Sequence, residues 1–334
     1  MVDLDGDGNL DLLSGSWPGE LFFFARQPDL TFAAPEMLKD KDGEYILIGG
    51  GVKETPEELL ITGHGEFETE GDTSVIVFHG KTYRPKPGQQ VGITGTASAV
   101  HAVDWDADGD FDLLVGDISG NVYRIPNEGS ATEWKFGRHV AVEAGGAALV
   151  VAGDAGPFCA DWDGDGDFDL LVGDGSGKVT WYRNDGHAGA PKLAAGQELI
   201  GAGDAGWSGT VPTVPTPGVR AKVCAADWNG DGQLDLLVGD YAALKPPALP
   251  LTPEMVAHHA ALRAERDQLQ SEYGPLAYNQ PPADETAAAK QKREARLAEI
   301  RTRLVAINGE LPAESESHGW VWLHLRAPKA ASGQ

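Results

Sequence analysis

The chain has 334 residues, with 44 glycines, 21 prolines and a formal net charge of −25, so it can bury a large core and turns often. The acidic excess leaves no basic stripe that could follow a phosphate backbone, which disfavours nucleic-acid binding. No run of 18 apolar residues occurs and no signal peptide is recognisable, so the sequence predicts no membrane span.

Four acidic loops recur along the chain, beginning at Asp3, Asp104, Asp161 and Asp227. The third loop reads D-x-D-x-D-G-x-x-D, with acids at positions 1, 3, 5 and 9 and Gly166 at position 6. Carboxylates crowded this closely repel one another unless a cation joins them. Oxygen ligands at positions 1, 3, 5 and 7, the last through a backbone carbonyl, are the calcium arrangement, and glycine permits the sharp turn. The repeats therefore predict up to four Ca²⁺ ions.

The candidate metal ligands are the residues at the odd positions of these loops. They are Asp3, Asp5, Asp7, Asn9, Asp11, Asp104, Asp106, Asp108, Asp110, Asp112, Asp161, Asp163, Asp165, Asp167, Asp169, Asp227, Asn229, Asp231, Gln233 and Asp235. In the fourth loop Asn229 keeps an oxygen but removes a charge, which predicts weaker binding there. An EF-hand is not predicted, since its acid at position 12 is replaced by Ser14, Val115, Val172 and Val238.

Short strand-like runs lie before and after the loops. The predicted strands are 12–13, 21–24 and 45–48 in the first unit, 97–103, 113–115, 122–125, 140–142 and 148–151 in the second, and 158–160, 170–172, 179–182 and 193–200 in the third. Three or four short antiparallel strands per unit of roughly 60 residues are typical of a propeller blade. Since Met1 lies two residues before Asp3, the first unit is expected to lack nearly all of its first strand.

Two insertions interrupt the repeats. The first carries runs 74–78 and 81–84 around His79 and Gly80, which predicts a hairpin that is either an embellishment or a ligand-contacting flap. The second predicts two helices, one beginning at Thr252 and Pro253 and ending near 273–275, the other running from about 284 to 307 and stopping at 308–309. This helical arm either packs on the repeats or binds a partner.

Residues 161–183 join the acidic loop to a D-L-x-V-G strand and a G-x-V strand. In this the chain resembles the FG-GAP/VCBS repeat family, the calcium-binding propeller repeats of integrin α-subunit heads, in its bacterial variants. The resemblance implies an all-β, β-propeller-like fold of about four blades, with a β-hairpin insertion and an α-helical hairpin insertion. The implied blades are 1–51, 93–153, 154–215 and 216–240 with 319–334, and the insertions are 52–92 and 241–318.

The resemblance also implies a calcium-stabilised, non-catalytic module that binds a protein or glycan outside the cell or in the cell envelope. An enzyme acting on polysaccharides, a lyase or hydrolase, stays open as an alternative. Its base would come from His64, His79, His101 or His139, its acid from Tyr83 or Tyr123, and Arg84 or Arg124 would neutralise a uronate, although no spacing links these residues. A third alternative is an assembly subunit that self-associates through the helical arm or open blade edges.

Cysteine and tryptophan positions give two smaller predictions. Cys159 and Cys224 precede their loops at different offsets and are predicted to be buried, unpaired apolar thiols. Trp105, Trp162 and Trp228 all occupy loop position 2, which predicts packing between blades, with sugar stacking as the alternative.

Overall fold

A computed structural model describes residues 2–49, 51–63, 65–71, 73–204, 211–247, 250–278 and 285–327. These residues are mostly β, with several small sheets and two helices. The chain divides into two compact units. The first comprises Met1–Gly209, Thr216–Ala242 and His318–Gln334, and the second comprises Thr210–Pro215 and Ala243–Ser317.

The strands are short, as the dense glycine and proline content predicts. They are β1 (Leu12–Gly15), β2 (Leu21–Phe24), β3 (Glu36–Met37), β4 (Gly51–Glu54), β5 (Glu58–Thr62), β6 (Gly65–Glu70), β7 (Thr73–Phe78), β8 (Lys81–Tyr83), β9 (Gln90–Thr94), β10 (Ala99–Val103), β11 (Asp112–Gly116), β12 (Val122–Ile125), β13 (Val140–Ala141), β14 (Glu143–Ala144), β15 (Ala147–Ala148), β16 (Gly156–Ala160), β17 (Asp169–Gly173), β18 (Val179–Tyr182), β19 (Gln197–Ile200), β20 (Val219–Ala226), β21 (Asp235–Leu244), β22 (Glu316–His318) and β23 (Val321–His324). The helices are α1 (Pro253–Tyr278) and α2 (Ala287–Glu310).

Four antiparallel sheets carry the acidic loops. Sheet I contains β1, β2 and β3, sheet II contains β10 to β13, sheet III contains β16 to β19, and sheet IV contains β20, β21, β22 and β23. In sheets II to IV the strand that enters the loop pairs with the strand that leaves it, as in Ala160 opposite Asp169. In sheet I only an isolated bridge between Val2 and Asp11 precedes β1.

The predicted strand at 45–48 is wrong. Tyr45 and Leu47 make only isolated bridges, to Lys39 and Glu20, while Ile46 and Ile48 are buried. The alternation that suggested a strand therefore reflects burial of one face of an irregular segment, because side-chain burial does not require a continuous hydrogen-bonded ladder.

Three apolar clusters join the four sheets in chain order. The cluster between sheets I and II contains Leu4, Leu21, Phe23, Leu38, Ile46, Ile48, Leu113, Val115, Ile125 and Phe136. The cluster between sheets II and III contains Val103, Trp105, Leu114, Val122, Val142, Leu149, Ala155, Cys159, Leu170, Val172, Tyr182 and Leu193. The cluster between sheets III and IV contains Trp162, Leu171, Val179, Ala221, Val223, Leu236 and Val238. Sheets II and III thus pack on both of their faces, whereas sheets I and IV each contribute one face to a single cluster.

The insertion at 52–92 is larger than the predicted hairpin. The hairpin is present, with β7 paired to β8 and His79 and Gly80 in the left-handed region at its turn. β6 pairs with the other edge of β7, and a second sheet combines β4, β5 and β9, with β5 and β9 parallel. Parallel pairing needs a long crossover, which residues between β5 and β9 provide, so the sequence pattern of adjacent strands could not reveal it.

The second unit is a helical hairpin. Thr252 Oγ1 accepts from the N–H of Met255, as predicted for the N-terminus of α1, and Leu262, Leu297, Ile300 and Ile307 are buried. The predicted end of α1 near 273–275 is wrong, because the helix continues through Pro275 to Tyr278. Among the described residues, no helix combines the length and apolar character needed to cross a bilayer.

Contacts between the helices explain why α1 continues through its proline. Glu272 accepts two 2.7 Å hydrogen bonds from Arg296 of α2, and Tyr273 accepts one from Arg301. A proline removes only one backbone hydrogen bond, so neighbouring contacts can hold the last turn. For α2, the predicted start near Asp284 lies outside the described residues, and the helix passes Asn308 to end at Glu310.

Candidate metal centre

Each acidic loop is a tight connection between paired backbone segments. Position 9 is the first residue of the outgoing strand in sheets II to IV, where Asp112, Asp169 and Asp235 lie opposite the last residue of the incoming strand. The loop therefore has to reverse the chain within eight residues. This geometry holds the two ends of each loop close together.

The carboxylate at position 1 folds the loop around itself. Asp161 Oδ1 accepts from the N–H groups of Gly164 and Asp165 at 2.8 and 3.0 Å, and Oδ2 accepts from Gly166 at 3.1 Å. Asp227 makes the equivalent three hydrogen bonds in the fourth loop. Because the N–H groups belong to the loop itself, the residues within the loop determine this part of its geometry.

Two positions in each loop adopt the left-handed conformation. At position 6 the sequence supplies glycine every time, as predicted, with φ +99° at Gly166. Position 4 is also left-handed, with φ +80° at Gly164 and +57° at Ala107. The sequence prediction missed this second position, although glycine occupies it in three of the four loops.

The carboxylate at position 9 ties the loop to the end of a neighbouring strand. Its Oδ1 accepts from a backbone N–H at 2.7 to 2.9 Å in every loop. The pairs are Asp11 with Arg26, Asp112 with Asn127, Asp169 with Asn184 and Asp235 with Arg326. The separation is 15 residues in the first three loops and 91 in the fourth, where the helical hairpin intervenes. Sequence reasoning treated position 9 only as a ligand, and this anchoring role emerges from the tertiary fold.

The acidic side chains converge in three of the loops. In each of the groups Asp3, Asp5 and Asp11, Asp104, Asp106 and Asp108, and Asp161, Asp163 and Asp165, one carboxylate oxygen per residue lies within 4.8 Å of the others. In the fourth loop, Asn229 Nδ2 donates to Asp231 at 3.0 Å, which occupies one of the position 5 oxygens. The predicted ligands at positions 1, 3 and 5 are therefore brought together in the second and third loops, whereas in the first loop Asp11 at position 9 joins Asp3 and Asp5 in place of Asp7.

Every loop also holds one buried oxygen that accepts no hydrogen bond. These atoms are Asp3 Oδ1, Asp110 Oδ1, Asp169 Oδ2 and Gln233 Oε1. Asp169 is completely buried, and Trp181 Nε1, which acts to lower the pKa of this carboxyl group, is likewise buried without a hydrogen-bond partner. A buried oxygen without a donor costs free energy, and a cation would satisfy it.

The pKa values of two loop carboxyl groups also favour a bound cation. Burial and the carboxylates of Asp108, Asp112, Asp106 and Asp104 raise the pKa of Asp110 to about 6. In the third loop, burial raises the pKa of Asp169 against the opposing hydrogen bond from Asn184. Both shifts mean that the ionised carboxylate is disfavoured where it stands, and a cation would reverse that preference.

Position 7 differs between loops. Asp167 Oδ1 accepts from the N–H of Ala188 at 2.7 Å, so one oxygen of this side chain is held by a segment outside the loop. Asn9 donates to Asp7 at 3.0 Å, and that hydrogen bond lowers the pKa of Asp7. The side chains at position 7 thus have unequal surroundings, whereas the predicted ligand there is the backbone carbonyl.

Arg124 distinguishes the second loop from the other three. Its guanidinium contacts Asp106 at position 3 and donates to Asp112 at position 9 at 2.9 Å. The corresponding residues of the other sheets are Phe23, Trp181 and Leu323. In the second loop, the positively charged side chain of Arg124 therefore already lies beside two candidate ligands.

The histidines of the enzyme alternative do not form a common site. His79 lies 3.6 Å from buried Glu20, His139 packs against Tyr123, and His101 packs against Phe158. Burial lowers the pKa of His101 to about 4, so it is neutral near pH 7. His64 lies outside the described residues.

The other polar candidates are also accounted for by local contacts. Arg84 pairs with Glu70 at 2.8 Å, and Lys81 lies over the ring of Tyr83. Both cysteines are free, as predicted, and Cys159 is buried, which raises the pKa of its thiol. The predicted burial of Cys224 is wrong, because this residue is exposed.

Comparison with known proteins identifies one segment. The family model described as FG-GAP-like repeat matches residues 161–238, which span the third and fourth acidic loops. No curated protein matches the chain. A solved structure titled as BBS1N in complex with ARL6DN, soaked with mercury, is 14% identical over 71% of this chain and 74% of that chain, with a TM-score of 0.24. Residues 161–238 are thus an FG-GAP-like repeat, the family that the acidic loop and its two following strands resemble.

Proposed function

We propose that this chain is a calcium-stabilised, non-catalytic binding module of the β-propeller type, in which sheets I to IV serve as four blades. Its ligand would be a protein or a glycan met outside the cell or in the cell envelope. The blades correspond to 1–51, 93–153, 154–215 and 216–240 with 319–334, and the insertions to 52–92 and 241–318.

The observation that carries the calcium proposal is the buried, unpaired oxygen in each loop, together with the carboxylates that converge in the first three loops. The donors at positions 1, 3 and 5 are all carboxylate or amide oxygens, which suit a hard cation such as Ca²⁺. In the third loop Asp161, Asp163, Asp165 and Asp169 would hold the ion with the carbonyl of Asp167. A bound Ca²⁺ supplies positive charge that relieves repulsion among these acids.

The blade assignment rests on the order of packing. Each sheet contacts the next through one cluster. In sheets II to IV the strands that enter the acidic loops contact one another in order, and β1 of sheet I contacts β10 of sheet II. Radial repetition of small antiparallel sheets is how propellers bury their sheet faces. The loop carboxylates would serve as metal ligands, and the described candidate histidines pack against other side chains. A binding function therefore accounts for these residues better than a catalytic one.

Retention on a ligand array tests the binding function. We expect a subset of immobilised glycans or matrix proteins to retain the chain in about 5 mM Ca²⁺, a concentration above the dissociation constants of weak calcium modules. A chelator should release the chain. Incubated polysaccharides should keep their size in gel filtration. Shortened polysaccharide would contradict the non-catalytic proposal, and retention that is identical in the chelator would contradict its dependence on calcium.

Replacing Arg124 tests whether its guanidinium competes with Ca²⁺ for the carboxylates of the second loop. We expect Arg124→Leu, which introduces the residue found at this place in sheet IV, to raise the Ca²⁺ affinity of the second loop about tenfold, since a close positive charge is removed. In chelator the same variant should be less stable, because Asp106 and Asp112 lose their partner.

Calorimetric titration with Ca²⁺ measures this effect. Arg183→Leu is the matched control, because Arg183 is paired with Asp185 outside the loops and the change removes the same charge. Equal Ca²⁺ affinities in the Arg124 variant and the control would show that Arg124 does not compete with the ion.

A further inference from the structure

The packing between consecutive sheets follows one repeated pattern. Each sheet has a rear face, formed by the residue at loop position 2 and two side chains of the strand after the turn, and a front face, formed by alternate residues of the strand that leaves the loop. The rear faces consist of Leu4, Leu21 and Phe23 in sheet I, Trp105, Val122 and Arg124 in sheet II, Trp162, Val179 and Trp181 in sheet III, and Trp228, Val321 and Leu323 in sheet IV. The rear face of each sheet packs on the front face of the next.

The rear face of sheet IV is uncovered. At loop position 2, Trp105 and Trp162 are 9% and 6% exposed, whereas Trp228 is 62% exposed. In the strand after the turn, Val179 of sheet III is fully buried, whereas its counterpart Val321 of sheet IV is 70% exposed. The predicted packing role of these tryptophans is therefore confirmed for two of them, and the third has its apolar surface in solvent.

The strand-end glycines give the same result independently. A methyl group at Gly15, Gly116 or Gly173 would overlap the backbone of the next sheet. At Gly239, the equivalent residue of sheet IV, it would meet only the carbonyl of Lys222 in the same sheet, at 3.8 Å. No described segment thus occupies the place that a following sheet takes elsewhere.

The front face of sheet I is the complementary uncovered surface. Leu12 is 36% exposed, whereas its counterparts Leu113, Leu170 and Leu236 are between 0 and 3% exposed because the rear face of the preceding sheet covers each of them. The chain therefore presents the two halves of one interface, which it builds three times internally, at opposite ends of its row of sheets.

We propose that a second copy of this chain covers these faces, with the rear face of sheet IV in one copy packed on the front face of sheet I in the other. The argument is continuity with the three internal interfaces, since repeat proteins whose end faces are apolar need a cap. The contact is head to tail, and two copies together would supply eight sheets, within the roughly four to eight blades of closed propellers. Both uncovered faces would then be buried in the same assembly.

Analytical ultracentrifugation of the full chain at micromolar concentrations and about 0.15 M salt tests the proposal, the salt being needed because each copy carries a net charge of −25. We expect a species of twice the 35.3 kDa chain mass. Leu323→Glu and Leu12→Glu should each weaken the dimer at least about a hundredfold, because each buries an unpaired charge in the contact. Val321→Glu gives a second rear-face variant at a side chain that is 70% exposed in one copy, so its fold should be unaffected.

Mixing the two variants distinguishes head-to-tail contact from any symmetric one. Leu12→Glu copies keep a normal rear face and Leu323→Glu copies keep a normal front face, so an equimolar mixture should regain dimers joined by one intact interface. Val140→Glu, at an exposed position of β13, is the matched control and should dimerise normally. Val305→Glu, exposed on α2, tests the helical hairpin and should also leave the dimer unchanged.

Three outcomes would overturn the proposal. They are a monomer at all concentrations, a dimer that survives both front- and rear-face variants, or a dimer that only Val305→Glu abolishes. Assemblies that grow beyond two copies would overturn the closed dimer.

Discussion

Removal of Ca²⁺ is expected to lower the free energy of unfolding of this chain by several kcal/mol. With dissociation constants of about 10⁻⁴ to 10⁻³ M, as in extracellular calcium modules, about 10 mM Ca²⁺ contributes roughly 1.4 to 2.7 kcal/mol per occupied site. Because up to four loops would each lose an ion, the melting temperature should fall by roughly 10 °C or more in chelator. Differential scanning calorimetry at pH 7 measures the change.

The control has to separate specific binding from charge screening. At −25 net charge, any salt reduces repulsion within the folded chain, so the chelator samples are matched in ionic strength with NaCl. Glu68→Gln, on an exposed strand position outside the loops, removes one charge and should keep the full response to Ca²⁺, whereas Asp165→Ala should lose about a quarter of it. Equal melting temperatures in Ca²⁺ and chelator would refute the stabilising role of calcium.

Loss of the position 9 anchor is expected to be the most damaging single change in a loop. Asp169 is fully buried and its Oδ1 accepts a 2.7 Å hydrogen bond from the N–H of Asn184. Asp169→Ala leaves that N–H buried without a partner, so we expect a loss of about 2 to 4 kcal/mol of unfolding free energy even in chelator. Urea denaturation followed by tryptophan fluorescence measures it.

Two further variants separate the anchoring role from the metal role. Asp169→Asn keeps an oxygen acceptor for Asn184, so in chelator it should cost about 1 kcal/mol or less, while in Ca²⁺ it should lose the contribution of the third site. Asp167→Ala is the matched control, because the Asp167 side chain accepts its hydrogen bond from the N–H of exposed Ala188, in a segment outside the loop, and it should cost less than about 1 kcal/mol in chelator. If Asp169→Ala and Asp169→Asn are equally stable in chelator, the anchor contributes nothing beyond the charge.

Much of the candidate site could be predicted because its geometry is local. The hydrogen bonds of Asp161 reach Gly164, Asp165 and Gly166, all within five residues, so residue type and spacing determine how the loop folds. The hairpin at 79–80 and the N-terminus of α1 were predictable for the same reason. In each case the partners are close along the chain.

The features that escaped prediction depend on partners distant in sequence. Asp235 is anchored by Arg326, 91 residues away, and Glu272, in the turn before Pro275 of α1, is held by Arg296 of α2. Arg124 reaches Asp106 only because β12 pairs with β11, which places the guanidinium over the loop. Spacing along the chain carries no information about such contacts.

The sequence by itself determined that four acidic loops alternate with short strands and that two insertions interrupt them, since these are properties of neighbouring residues. Only the tertiary structure decided which faces of the repeated sheets are covered. Trp105, Trp162 and Trp228 are the same residue at the same loop position, yet two are buried and the third lies in solvent. Their difference comes from whether another sheet follows, because burial is a property of the packed neighbour and not of the residue.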